Sequence, residues 1–259
     1  METMNERSRT DAFSFYSLTI ISYLESAVPI YVENLSPFFA DNPKAQDWLQ
    51  STWLHEEAEH GRLTRTYATT HWPEFDWERG YALFLSRYQP RCNRNLLRAS
   101  PALEALARCV TETQAAMIYR CLGDYSPDPE LKSLMADMSR DEVRHYAYFR
   151  DLHDHYDRKE HNALWRKARV VVARSELVRE EDLALAYLPL NECWSGKKPF
   201  PQLSYSQYFS MMGRVMARHF PFEQAGRMLF RPLRGGRWLE SFLVGILARV
   251  VRRQYAAAA

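Results

Sequence analysis

Two short words, Glu57-Ala58-Glu59-His60 and Glu142-Val143-Arg144-His145, lie inside two long stretches of unbroken helical periodicity. The second stretch presents Leu131, Met135, Met138, Glu142, His145, Phe149, Leu152 and Tyr156 on one face. The first presents Leu49, Trp53, Glu57, His60, Thr64 and Tyr67. Each stripe is apolar except where a carboxylate and an imidazole stand one turn apart. An unpaired charge inside a helical core is expensive, so such a pair needs a compensating partner, most simply a metal ion. One Glu-x-x-His arises by accident in a chain with eight His. Two, each on an apolar stripe and each preceded by a second acid, Glu56 and Asp141, constrain the fold far more.

Two further helical stripes carry one acid each. From about Asp11 to Asn34 the face reads Leu18, Ile21, Glu25, Val28, Val32 and Leu35. The competing acid, Glu33, lies about 80° round the helix from Glu25 and points off the stripe. Pro29 removes a backbone donor one turn after Glu25 and predicts a kink. Ser100-Pro101 opens another helix, with Ala102, Ala105, Cys109, Glu112, Ala116 and Tyr119 on its stripe. The mostly small residues beside Glu112 suit a substrate channel, with Cys109, Ala115, Ala116 and Tyr119 as candidate lining, and equally suit close helix packing.

The remaining punctuation orders these elements. Asn42-Pro43 starts the helix that carries Glu57 towards about Thr70, and the short connection before it makes the first two helices antiparallel. An accessory helix at about Trp77 to Tyr88 and a basic loop from Gln89 to Arg98 form a long crossover. Asp128-Pro129 caps the helix that carries Glu142, which ends at about Asp157. Further helices are expected at Ala163 to Arg179, Ser204 to His219 and Trp238 to Gln254, with a loop from Pro189 to Gln202. The expectation is one domain over 1–259, with a bundle at about 11–158 and a helical extension at about 159–255.

Composition excludes other classes. Only 9 Gly in 259 residues suits long helices, and 4 scattered Cys give neither a disulfide framework nor a zinc ribbon. The polar N-terminus lacks the regions of a signal peptide, so a cytoplasmic location is expected. Residues 205–259 hold nine Arg against Glu223 and Glu240, a local net charge of +7. The helix at 238–254 is basic and amphipathic, which suits packing on its own bundle or a peripheral membrane contact. Nucleic acid is not implied.

Collecting the polar stripe positions gives Glu25, Glu57, His60, Glu112, Glu142 and His145. One Glu from each of two helices and Glu-x-x-His from each of the other two is the di-iron or di-manganese carboxylate pattern. Two divalent ions and four glutamates cancel in charge, so the reduced site is neutral and tolerates a dry core. Few nitrogen and no sulfur donors favour iron, with manganese as the alternative. The preceding acids would accept the second N–H of each imidazole, Asp141 from His60 and Glu56 from His145.

Trp53 followed by Glu56-Glu57-Ala58-Glu59-His60-Gly61, together with Asp141-Glu142-Val143-Arg144-His145, resembles the paired motifs of the soluble acyl-acyl carrier protein desaturases of the ferritin-like superfamily. Glu25-Ser26-Ala27-Val28-Pro29-Ile30-Tyr31 resembles that family's first ligand helix. The likeness covers about residues 20–156. It implies an all-α, ferritin-like four-helix bundle, the same six ligands and two supporting acids, a homodimer, a ferredoxin-like electron donor and an acyl chain beside the irons. Ala115 departs from the pattern, since the desaturases carry a Thr there. The expected function is an oxygen-activating di-iron oxidoreductase that uses O2 and an external reductant to desaturate or hydroxylate an acyl chain, free or on a carrier protein. The rivals are an oxygenase for another small substrate, such as an amine or aldehyde, and an iron-handling ferroxidase.

Overall fold

A computed structural model describes residues 9–93, 97–177, 182–194, 196, 198–233 and 244–245. Among the described residues every regular element is helical. No single helix among them is long and apolar enough to cross a membrane. The chain divides into two compact units, Met1–Leu97 with Glu180–Tyr208, and Arg98–Arg179 with Phe209–Ala259.

The first unit is built around α1 (Ala12–Ser26), whose residues 12–23 are all buried. Asp11 caps its start by accepting from the Phe13 and Ser14 amides. α1 stops at Ala27, and α2 (Val28–Phe38) continues with a bend of 42°. The kink expected from Pro29 is therefore present, with the proline in the first turn of α2, where its missing N–H costs nothing. Asn42 caps α3 (Pro43–Trp48). A π-helical turn over Leu49–Trp53 leads directly into α4 (Leu54–His71).

α4 runs antiparallel to α1. Gly61 lies against Ser26 at one end of the pair, and the Trp72 ring that follows α4 meets Phe15 at the other, 5.3 Å between centroids. Gly61 makes this approach possible, since a Cβ there would stand 2.7 Å from the Ser26 Oγ. α5 (Trp77–Tyr88) matches the expected accessory helix. Its Trp77 Nε1 donates to Ser22 Oγ at 2.8 Å and the Tyr81 hydroxyl to the Ser26 carbonyl at 2.6 Å, tying the crossover to α1.

α9 (Leu183–Cys193) corrects the reading of Pro189 to Gln202 as loop, because the helix passes through Pro189 to Cys193. Burial of Ala186, Tyr187 and Leu190 outweighs the hydrogen bond that Pro189 removes. Tyr187 stacks on Tyr16 and Tyr208 at 5.6 and 5.8 Å, and the Tyr16 hydroxyl donates to Asn191 Oδ1 at 2.6 Å.

The second unit is organised on α6 (Pro101–Tyr125) and α7 (Pro129–Glu160), also antiparallel. Their register is fixed at three levels. The His153 ring meets the Ala102 carbonyl at 2.7 Å, the Cys109 thiol lies 4.0 Å from the Tyr146 carbonyl, and Ser139 Oγ donates to the Ala116 carbonyl at 2.8 Å. Ser100 and Asp128 cap the two helices as their spacing to Pro101 and Pro129 predicts. α7 ends at His161, in the left-handed region at φ 51°.

α8 (Leu164–Leu177) packs Val170 and Val171 on Leu103, Leu106, Ala107 and Val110 of α6. α10 (Tyr205–His219) matches its expected bounds. α11 (Phe222–Phe230) was not expected, since a helix of nine residues between Pro221 and Pro232 gives too few turns for a periodic signal. Its Met228 carbonyl accepts the Tyr146 hydroxyl at 2.7 Å. The helix expected at 238–254 lies outside the described residues apart from Val244 and Gly245.

Candidate metal centre

In the first unit α1 presents Glu25 and α4 presents Glu57 and His60. Glu57 and His60 are 4% and 2% exposed, and Glu25 is half-buried. One ligand atom from each of the three falls within 4.8 Å of the others. The His60 Nδ1 stands 3.3 Å from Glu57 Oε2. Gly61, next to His60, lets α4 approach the backbone of Ser26, next to Glu25, so close helix contact sets the spacing of the three donors. The Thr64 hydroxyl bonds back to the His60 carbonyl at 2.7 Å. Glu33 is exposed, as its angle from Glu25 predicts.

In the second unit α6 presents Glu112 and α7 presents Glu142 and His145, at 2%, 1% and 1% exposure. The His145 Nδ1 lies 3.3 Å from Glu142 Oε2 and 3.8 Å from Glu112 Oε2. These three also bring ligand atoms within 4.8 Å of one another, so this buried carboxylate and imidazole group could hold a metal ion.

The two groups are chemically the same: one Glu from one helix and Glu-x-x-His from its antiparallel neighbour. A small divalent cation that holds its donors at about 2.1 Å in octahedral geometry separates adjacent donors by about 3 Å. The 3.3 Å separation of Nδ1 and carboxylate oxygen in both Glu-x-x-His pairs fits that requirement. Carboxylate and imidazole donors without thiolate fit iron or manganese. The donor sets therefore suit the group that the sequence implies.

The supporting acids are less enclosed. Asp141 pairs with Arg144 on its own helix, and Glu56 is half-buried. Of the channel candidates, Cys109, Ala116 and Tyr119 are buried and Ala115 is half-buried. Burial, and then the charge of Glu112, push the Cys109 thiol well above its ordinary range, so it sits there as a neutral apolar group. A cleft of about 750 Å³ in this unit is lined by other residues, among them Arg120, Lys132 and Val143.

Sequence reasoning named every ligand candidate in both groups but gave Gly61 and Ser139 no role. Gly61 had a readable signal, a helix-interior glycine directly after a candidate ligand. Ser139 had none, because a serine that bridges to a neighbouring helix looks like any surface serine. Comparison of the chain with protein-family models, curated proteins and solved structures gives no match.

Proposed function

We propose that Glu25, Glu57, His60, Glu112, Glu142 and His145 hold a dinuclear iron centre in an oxygen-activating oxidoreductase. What supports this is the duplication: each unit carries the same half-set, a Glu opposite a buried Glu-x-x-His with Nδ1 3.3 Å from its own carboxylate. The two half-sets combined give four carboxylates and two imidazoles, the composition of a carboxylate-bridged metal pair in a four-helix bundle. Two iron ions bound there would supply dioxygen activation and oxidation of an unactivated C–H bond.

The chain's own residues supply the rest. Glu25, Glu57, Glu112 and Glu142 neutralise the two cations, so the loaded site tolerates its dry surroundings. His60 and His145 fix the ends of the set as neutral donors, with Asp141 assigned to the second ring nitrogen of His60 and Glu56 to that of His145. The apolar stripes above and below each pair exclude water, and Cys109, Ala115, Ala116 and Tyr119 of α6 would line the path of a narrow substrate. On the sequence likeness to acyl carrier protein desaturases, we assign an acyl chain as substrate, desaturated or hydroxylated with electrons from a ferredoxin-like donor.

The experiment is metal analysis of the purified chain followed by turnover with O2, a reductant and acyl substrates, with products read by mass spectrometry. Two iron ions per chain and a product altered by two hydrogens or one oxygen are expected. Fewer than two metals, or iron taken up far beyond two without an organic product, would overturn the assignment, the latter in favour of a ferroxidase.

A further inference from the structure

The second unit carries a cleft of about 750 Å³ between the C-terminal half of α6, the N-terminal half of α7 and Gln224 of α11. That volume lies within the range of small-molecule sites and far exceeds an inorganic ion. Its chemistry is divided. Gly123, Ala136 and Val143 give an apolar strip, with Ala136 and Val143 both exposed and Val143 38% so. Arg120, Lys132, Arg140 and Arg144 line the same space, against one lining carboxylate, Asp124.

The four cations are not equivalent. Arg140 pairs with Asp137 and Arg144 with Asp141, each on its own helix, which offsets most of their charge. Among the described residues Arg120 bonds to the neutral Gln224 amide, and neither it nor Lys132 has a carboxylate within ion-pair distance. A guanidinium from α6 and an ammonium from α7 therefore line one cleft with no carboxylate paired to either among the described residues. On α7, Lys132, Ala136, Arg140 and Arg144 follow at four-residue intervals, about 6 Å apart each, so they share one face of the helix and line the floor together.

From this we infer that the cleft is a binding site for a hydroxyl-bearing organophosphate of nucleotide size. Its phosphoryl group would lie between Arg120 and Lys132, its apolar face on Ala136 and Val143, and its hydroxyls towards the Asp124 carboxylate. A phosphoryl group suits the pair because it accepts from a planar guanidinium and a compact ammonium together. Asp124 has no ion-pair partner among the described residues and favours a ligand that also donates. None of the candidate metal ligands lines this cleft, so the inference stands apart from the proposed oxidative function.

Calorimetric titration of the full chain tests it with ADP, adenosine, inorganic phosphate and poly-L-glutamate at low salt. One saturable ADP site per chain is expected, with adenosine and phosphate each bound at least about tenfold more weakly. Arg120→Gln and Lys132→Gln should each weaken ADP by about tenfold, and Lys132→Arg should retain it. Arg166→Gln, an exposed substitution on α8 outside the cleft, should change nothing. Circular dichroism checks that helix content is kept, and a Gln variant that loses it is replaced by the Lys132→Arg comparison. Absence of saturable ADP binding, phosphate binding as tightly as ADP, equal weakening by Arg166→Gln, or poly-L-glutamate binding more tightly than ADP would each overturn the inference. The last would make the cleft a docking surface for an acidic protein.

Discussion

Gly61 shows how one residue governs a half-site. A Cβ at this position would stand 2.8 Å from the Ser26 backbone nitrogen, which a rotamer change cannot relieve. Gly61→Ala should therefore push α4 off α1, cost about 1–3 kcal/mol in denaturant unfolding and weaken metal binding at Glu25, Glu57 and His60. A variant that kept native stability and metal content would show that the approach is not needed. Glu104 gives a second case. It is 1% exposed, accepts Arg108 Nε at 3.0 Å and the Arg98 amide at 2.7 Å, and lies on α6 two turns before Glu112. Glu104→Ala should destabilise the chain by about 3 kcal/mol, since it leaves a buried guanidinium without its carboxylate. Tyr16 adds a pH dependence. Burial pushes its hydroxyl up to about 12, against a lowering contribution from the Leu203 backbone. The unfolded chain releases this proton near pH 10, so below that pH the stabilisation is fully present. Between about pH 10 and 12 only the unfolded state has lost the proton, and stability falls by about 1.4 kcal/mol per unit from this group. Melting temperatures across that range, for the native chain and Tyr16→Phe, should diverge in slope.

At the scale of elements, α6 and α7 should be the last parts of the second unit to open. Their packing is fixed at Ala102, Cys109 and Ala116 against His153, Tyr146 and Ser139, and the buried ligand pairs lie between those contacts. Native-state hydrogen exchange should therefore be slowest from Ala105 to Met117 and from Met138 to Phe149, and faster in α8, which exposes Leu164, Trp165 and Val172. Faster exchange in α6 than in α8 would contradict that order. The same elements explain what could be read in advance. Helices with a capping residue, a proline at the first turn and a stripe longer than three turns, such as α6 and α7, were legible almost to the residue. The break between α1 and α2 was legible as a kink because Pro29 marks it. α9 was not, because its run of Leu, Ala and Tyr has no polar face and Pro189 reads as a stop. α11 is too short for periodicity, and its burial is set by partners distant in sequence. The ligand candidates were legible because a charged residue on an apolar stripe is conspicuous, whereas the π turn at Leu49–Trp53 leaves no trace in residue type.

At the scale of the whole molecule, the proposed function ties the stability of the chain to its metal. Four carboxylates without cations would repel or take up protons, and the energy of ligation is then added to the folded state alone. Were the half-sets separate mononuclear sites, Glu142→Ala would leave one metal at Glu25, Glu57 and His60. In a shared dinuclear centre the loss of a carboxylate leaves the second cation uncompensated, so metal content should drop below one per chain. The conservative Glu142→Asp should recover part of it. Chelation should lower the melting temperature of the native chain, and Glu142→Ala should show little further loss on chelation. Retention of one full metal by Glu142→Ala would separate the two groups into independent sites and remove the basis for dioxygen chemistry, while leaving the burial and helix register of each unit as described.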